Sequence, residues 1–173
     1  PLTVRMGGDA LQTLVWGSDT FAPDTLLLNA PTAQAPLAFE NPVDLDGQTV
    51  AVRVDADTAT LSGAVSDTAG GSVLTKTGPG MLKVAAQTRN VFGRFASAEG
   101  ATVFDGGENA LSDVLVHSAG SLLLTNTAVS AARVEFAGDA AEVRGGSLTA
   151  QNEIALGWWS DATAQTVDIR DAA

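Results

Sequence analysis

Three four-residue segments recur along the chain at a spacing of 20 residues. They are Asp113–Val116, Arg133–Phe136 and Glu153–Leu156. Each segment carries its larger apolar residues two positions apart, as a β-strand with one buried face requires. A chain that repeats one strand at a constant interval stacks each copy of that strand on the previous one. The recurrence therefore predicts a solenoid of stacked β-strand coils.

A second series of apolar residues is interleaved with the first, which predicts two strands in each coil. Its members are Leu122 with Leu124, Val143, and Val167 with Ile169. Both series extend toward the N-terminus at nearly the same spacing, through Val103, Leu82 and Leu61 in one and through Phe95, Val73 and Val52 or Val54 in the other.

The residues between these strands are typical of turns. Segments such as Asp105–Asn109 and Ser66–Gly71 combine Gly, which accepts positive φ, with Asp, Asn or Ser, which bond their own backbone. β-Sandwiches also contain short strands and regular turns, but a sandwich has no reason to repeat its pattern every 20 residues. The fold class we predict is all-β, a right-handed parallel β-helix (β-solenoid) with coils of about 20 residues.

The period is not seen throughout the chain. Residues 1–30 are predicted to be an irregular lead-in, a cap or a junction, because prolines such as Pro23 and Pro31 divide this region into short pieces. Residues 31–173 are predicted to be solenoid coils. We expect the chain to be a fragment of a longer solenoid whose adjacent coils are its main partners.

Composition restricts the functions open to the chain. A net charge of −11 argues against binding to nucleic acid, which needs clustered Lys and Arg. There is no cysteine for a disulfide, a thiolate metal site or a nucleophile, and no apolar run is long enough to predict a membrane span.

Two pairs of carboxylates, Asp44 with Asp46 and Asp55 with Asp57, are candidates for a calcium site, the one cofactor that we consider. Such pairs also serve polysaccharide lyases and hydrolases built on β-helices. Those enzymes line their grooves with Arg, Lys and aromatic residues, which are scarce here. The only histidine, His117, follows a strand and is expected to face solvent. We therefore predict that the chain is not an enzyme, with hydrated turn carboxylates as the simpler interpretation of both pairs.

Trp158 and Trp159 are the candidate binding residues. Adjacent residues of a strand point to opposite faces, so at least one of the two indoles is expected to be exposed. Exposed tryptophan stacks on sugar rings and anchors protein interfaces. The alternative is that this loop packs against a neighbouring coil.

The segment from Ser72 to Val84, which reads SVLTKTGPGMLKV, resembles the autotransporter-associated β-strand repeat. A second likeness, from Ala141 to Gly157, is to the Val-x-Gly-Gly coils of repeat-rich exported proteins. The resemblance implies a passenger that is secreted and then stays on the bacterial cell surface or is released outside the cell. Because the predicted solenoid carries no active-site motif, we predict a structural role as a stalk, surface layer or fibre scaffold, and self-association is among the expected interactions. The alternative functions are an adhesin that binds a glycan or a surface protein, and a polysaccharide lyase or hydrolase.

Overall fold

A computed structural model describes residues 2–7, 10–85, 89–137, 140–144, 146–156 and 166–170. These residues form strands and loops, with no helix among them. The strands are β1 (Leu2–Val4), β2 (Leu14–Val15), β3 (Thr25–Leu27), β4 (Leu37–Phe39), β5 (Val43–Asp44), β6 (Thr49–Arg53), β7 (Thr58–Leu61), β8 (Val65–Ser66), β9 (Val73–Thr77), β10 (Met81–Val84), β11 (Asn90–Asp105), β12 (Glu108–Thr125), β13 (Ala128–Phe136), β14 (Ala140–Arg144), β15 (Ser147–Leu156) and β16 (Thr166–Arg170).

Every pair of these strands is parallel, and each strand lies against its counterpart in the next coil. The predicted all-β solenoid with coils of about 20 residues is confirmed. Two parallel strands cannot be joined by a tight hairpin, so the partner of each strand lies one full coil further along the chain. Backbone hydrogen bonds therefore run along the solenoid from coil to coil.

The strands stack into three ladders, which we call faces A, B and C. Face A contains β3, β6, β9 and residues 94–97, 113–116, 133–136 and 153–156. Face B contains β1, β4, β7, β10, residues 102–105 and 121–125, β14 and β16. Face C contains β2, β5, β8 and residues 90–92, 108–111, 128–131 and 147–150.

The prediction of two strands in each coil is thus wrong, because each coil has three. In β11 and β12 one continuous strand passes through all three faces. In these two strands no turn residues separate the face C part from the face A part, and the sequence shows no boundary there.

The recurrence of Val114, Val134 and Ile154 is confirmed as one ladder of register partners on face A. Toward the N-terminus this ladder continues through Phe95 to Leu74, where Val73 was predicted. Side chains alternate between the two sides of a strand, so this slip of one residue exchanges inside for outside. Leu74 is 1% exposed, whereas Val73 is only half-buried.

Two further register predictions are also wrong. The ladder reaches Val50 rather than Val52 or Val54. On face B, Leu61 and Leu124 align with Val84 and Phe104, where the sequence predicted Leu82 and Val103. The drifting coil length conceals these shifts, because Val50 and Leu74 lie 24 residues apart and Leu61 and Val84 lie 23 apart, more than the steps of 19 to 21 residues on which the prediction is based.

The N-terminal coils differ from the later ones in the length of their loops. Leu2 pairs with Leu37 and Leu14 with Val43, so these coils exceed 20 residues. Within residues 1–30, β1, β2 and β3 nevertheless join the three ladders. The loop after β2 packs Trp16 edge-to-face on Phe21, with ring centroids 5.1 Å apart. Both rings belong to the same buried cluster as the aliphatic ladders.

The solenoid interior also holds a ladder of polar side chains at the entrance to face C. The amide of Asn90 donates to Asn109 Oδ1 at 2.7 Å, and the amide of Asn109 donates to Thr127 Oγ1 at 2.7 Å. Asn90 Oδ1 accepts from the backbone N–H of Val65 at 2.8 Å. Because these buried polar groups hydrogen-bond one another, they tie successive coils together at this corner.

The register of face A predicts a contrast between two adjacent residues. Leu74→Ala removes a fully buried side chain and is expected to lower the free energy of unfolding by about 2–5 kcal/mol. Val73→Ala is the matched control and is expected to cost less than about 1 kcal/mol. Urea unfolding followed by circular dichroism measures both. If Val73→Ala were the more costly change, the register would be wrong.

Candidate functional site

A ladder of alternating charge runs along the outside of face A. Arg94, Asp113, Arg133 and Glu153 are successive register partners. Each of these charged residues directly precedes an inward-facing apolar residue of its strand. Since side chains alternate along a strand, the charged residues point outward. A guanidinium nitrogen of Arg94 lies 3.6 Å from Asp113 Oδ2, and Arg133 Nε lies 3.0 Å from Glu153 Oε2. Ion pairs this exposed contribute little to stability, about 0–1 kcal/mol each.

Beside this ladder lies a groove of about 530 Å³. Its charged lining residues are Arg94, Asp113, Arg133 and Glu135, and its other lining residues are Val114, Leu115 and His117. A volume of this size is typical of a site for a small molecule. The groove is the candidate functional site of the described chain.

Glu135 is the most deeply buried charged group in the groove lining, at 6% exposure. Its Oε2 lies 3.0 Å from a guanidinium nitrogen of Arg133. Its Oε1 is buried and has no hydrogen-bond partner among the described residues. Arg133 Nε is also buried and makes no hydrogen bond, because it lies 3.0 Å from Glu153 Oε2 as an ion pair without directing its N–H at that oxygen. A buried polar atom without a partner is costly, so these two atoms are the ones that a bound molecule would most stabilise.

Sequence analysis did not find this groove. The sequence does contain one indication of it: the first position of the three recurrent segments alternates in charge, with Asp113, Arg133 and Glu153. The burial of Glu135 had no such signal, because an outward position on a strand is ordinarily solvated. His117, expected to face solvent, is exposed and lies at the edge of this groove.

A second unusual group is Lys76, which points into the solenoid between Val52 and Ser97 and is fully buried. Its ammonium group donates to three backbone carbonyl oxygens: that of Gly78, that of Gly80 at 2.5 Å and that of Glu99 at 2.6 Å. All three N–H donors of the ammonium therefore have acceptors within the chain.

Burial lowers the pKa of Lys76 to about 8, although the negative charges of Glu99 and Asp55 oppose the shift. At neutral pH the group is still protonated. Since its acceptors belong to two successive coils, the lysine holds the turn at Gly78–Gly80 against the strand above it.

Two glycines make room for this arrangement. Both Gly78 and Gly100 have positive φ, at 82° and 68°. A Cβ atom on Gly78 would lie 2.4 Å from the carbonyl oxygen of Val54, and one on Gly100 would lie 2.6 Å from Lys76 Nζ. The Lys-Thr-Gly-Pro-Gly segment thus forms a closed internal anchor with no open side for a substrate.

Of the calcium candidates, Asp44 ends β5 and Asp46 lies in the turn that follows it. Asp44 accepts hydrogen bonds from the backbone N–H of Asp46 at 3.1 Å and of Thr68 at 3.0 Å, and from Thr68 Oγ1 at 2.7 Å. Burial raises the pKa of Asp44, but the hydrogen bonds from Thr68 and Asp46 outweigh it and keep the pKa below its usual value. The carboxylate of Asp44 therefore holds two turns of adjacent coils together.

Asp55 and Asp57 likewise have partners within the chain. Asp55 Oδ1 accepts from Arg53 Nε at 2.7 Å, and Asp57 Oδ1 accepts from the backbone N–H of Thr58 at 2.7 Å. Over the residues that the structure describes, no three His, Cys, Asp or Glu side chains come together as a metal site would require. The four calcium candidates are thus placed as turn and ion-pair groups.

The candidate binding residues Trp158 and Trp159 lie outside the described residues. The described part of the chain contains no helix that could span a lipid bilayer. Comparisons with protein-family models, with curated proteins and with solved structures found no match to this chain. The resemblance of Ser72–Val84 to the autotransporter-associated repeat therefore stays a prediction.

The buried ammonium predicts how stability changes with pH. Below pH 8, Lys76 is protonated in both states, and the folded state bears the cost of burying the charge. Between pH 8 and about 10.5 only the unfolded chain binds this proton, so the free energy of unfolding rises with pH, by up to about 3 kcal/mol. Lys76→Met is expected to remove this rise.

Urea unfolding at a series of pH values measures the effect. Lys83→Met is the matched control, because Lys83 is the only other lysine and lies partly exposed beside Asp105. The chain has no Tyr or Cys, so few other groups titrate in this range. The same rise in the Lys76→Met variant as in the parent chain would contradict the assignment.

Proposed function

We propose that this chain is a non-enzymatic structural segment of a longer bacterial cell-surface or secreted protein, in which it acts as a stalk, surface layer or fibre scaffold. The observation that carries the proposal is the continuity of the three parallel ladders from β1, β2 and β3 to β15 and β16. Each coil is hydrogen-bonded to the next on three sides. A rod built in this way projects whatever is attached to its ends.

The interior supports a mechanical role. Buried side chains lie in register from coil to coil. Asn90 and Asn109 bond across coils, and Lys76 bonds both to the turn of its own coil and to Glu99 of the next. Bending or slipping of one coil on the next breaks these bonds and exposes the aliphatic ladders together. A stiff spacer needs these bonds between coils, since each coil of a solenoid contacts only the coils next to it.

The proposed location is supported by the likeness of Ser72–Val84 to the autotransporter-associated repeat. Within this segment the buried Lys76 and the turn at Gly78–Gly80 anchor one coil to the next. This gives a physical reason for a Lys-Thr-Gly-x-Gly pattern to accompany a stacked, exported solenoid. Self-association of such segments, end to end or side by side, is part of the proposal.

A second candidate function is an adhesin module for a glycan or a surface protein. The groove on face A favours it, because a purely mechanical rod has no use for a buried carboxylate oxygen without a partner. A scaffold and a binding groove are compatible on one rod.

The proposed location predicts where the parent protein is found. Antibodies raised against this segment are expected to label intact cells of the source organism, or the culture medium, before the cells are permeabilised. Protease added to intact cells is expected to remove the cell-bound signal, and a cytosolic marker protein serves as the control. Labelling that appears only after permeabilisation would contradict the proposal.

A further inference from the structure

The groove on face A contains buried hydrogen-bonding capacity that the described chain does not use. Glu135 Oε1 can only accept hydrogen bonds when the carboxylate is ionised, and Arg133 Nε can only donate. Both are buried without a hydrogen bond, although Arg133 Nε also lies 3.0 Å from Glu153 Oε2 as an ion pair, and both Glu135 and Arg133 line the groove. A molecule that stabilises this site must therefore present a donor and an acceptor close together.

The charge of the groove restricts the ligand further. Two guanidinium groups, of Arg94 and Arg133, are balanced by two carboxylates, of Asp113 and Glu135. Because the two signs balance, the lining has no net charge with which to attract either a cation or an anion. The chain as a whole carries a charge of −11, which further disfavours anionic polymers. The lining thus gives no net attraction to a charged molecule, and a ligand without net charge suits it.

We propose that this groove binds a neutral carbohydrate. A sugar hydroxyl both donates and accepts, so neighbouring hydroxyls can satisfy Glu135 Oε1 and Arg133 Nε together. The alternating ladder places donor-only and acceptor-only side chains one coil apart, about 4.8 Å, along the solenoid axis. An oligosaccharide lying along this axis meets each kind in turn, with Leu115 available to its C–H groups.

The inference goes beyond the scaffold role and rests on the second candidate function, for which it names the chemical class of the ligand. It does not depend on where the parent protein resides. The rival explanation is that the charged ladder only pairs with itself. These two accounts differ in what Glu135 does. As a ladder member it contributes through Arg133, whereas as a binding residue it contacts the sugar through Oε1, the atom that Arg133 leaves unpaired.

The test begins with the purified chain on a glycan array that carries neutral, acidic and cationic glycans. At least one neutral glycan is expected to bind, and its acidic and cationic counterparts are expected to bind at least tenfold more weakly. The bound neutral glycan is then titrated into the ¹⁵N-labelled chain. Saturable shifts are expected at the amides of residues 94, 113–117 and 133–135.

Variants separate binding from folding. Glu135→Ala is expected to weaken binding at least tenfold, and Arg94→Gln, at an exposed position that is safe for folding, to weaken it severalfold. Asp105→Asn is the matched control, since it alters the ion pair with Lys83 on face B and is expected to leave affinity unchanged. Thermal melting of each variant reports on folding.

Three results would overturn the proposal. They are the absence of binding to every neutral glycan on the array, equal or tighter binding of charged glycans, and shifts that map away from the groove. Should Glu135→Ala fail to fold, Arg94→Gln decides: unchanged affinity in that folded variant would also overturn the proposal. Loss of affinity in both groove variants, with Asp105→Asn unaffected, supports it.

Discussion

The parallel pairing of each strand with its counterpart one coil later is the constraint on which the rest of the structure depends. It gives every internal strand two neighbours, one in the coil before and one in the coil after, so backbone groups are satisfied along the solenoid axis rather than within a coil. It also places like positions of successive coils next to one another. Inward positions therefore form ladders of Val, Leu and Phe, and outward positions form ladders of whatever side chains the repeats carry there.

This arrangement explains why polar groups can lie inside so narrow a core. The coil that supplies a buried donor lies about 4.8 Å from the coil that supplies its acceptor, so a single side chain reaches across. Asn90 and Asn109 bond in this way, and Lys76 reaches the carbonyl oxygen of Glu99 in the next coil. The same geometry on the outside aligns Arg94, Asp113 and Arg133 into the charged ladder that borders the groove.

The sequence predicted most of the fold where the coils are regular. Val114, Val134 and Ile154 identify their own register because the spacing between them is constant. Where coil length drifts, the same reasoning selected Val73 instead of Leu74, since both are apolar and only their neighbours decide which one points inward. The sequence does not reveal the third strand in the later coils because there it continues into the next strand without a turn.

The candidate site was less accessible to sequence reasoning. Its key feature, the unpaired oxygen of Glu135, depends on burial at an outward position and on the direction of the Arg133 side chain, neither of which a strand pattern contains. Conversely, Asp44 and Asp55 each belong to a pair of nearby aspartates in the sequence, a pattern that suggests metal ligands. In the fold Asp44 accepts from backbone N–H groups and Asp55 pairs with Arg53. Lys76 shows a partial signal, since its position in β9 has the same alternation as the buried Leu74.

Stacking in register is tested most directly by cross-linking two coils. Ala110 and Ser130 are register partners on face C, and adjacent strands about 4.8 Å apart suit a disulfide, which needs Cα atoms about 4.4–6.8 Å apart. The chain has no cysteine of its own, so Ala110→Cys with Ser130→Cys introduces a single pair. We predict a complete intramolecular disulfide by mass spectrometry under mild oxidation. Ala110→Cys with Ala128→Cys, two residues out of register, is predicted to remain reduced. Efficient cross-linking of the second pair and not the first would contradict the stacked register on which this account depends.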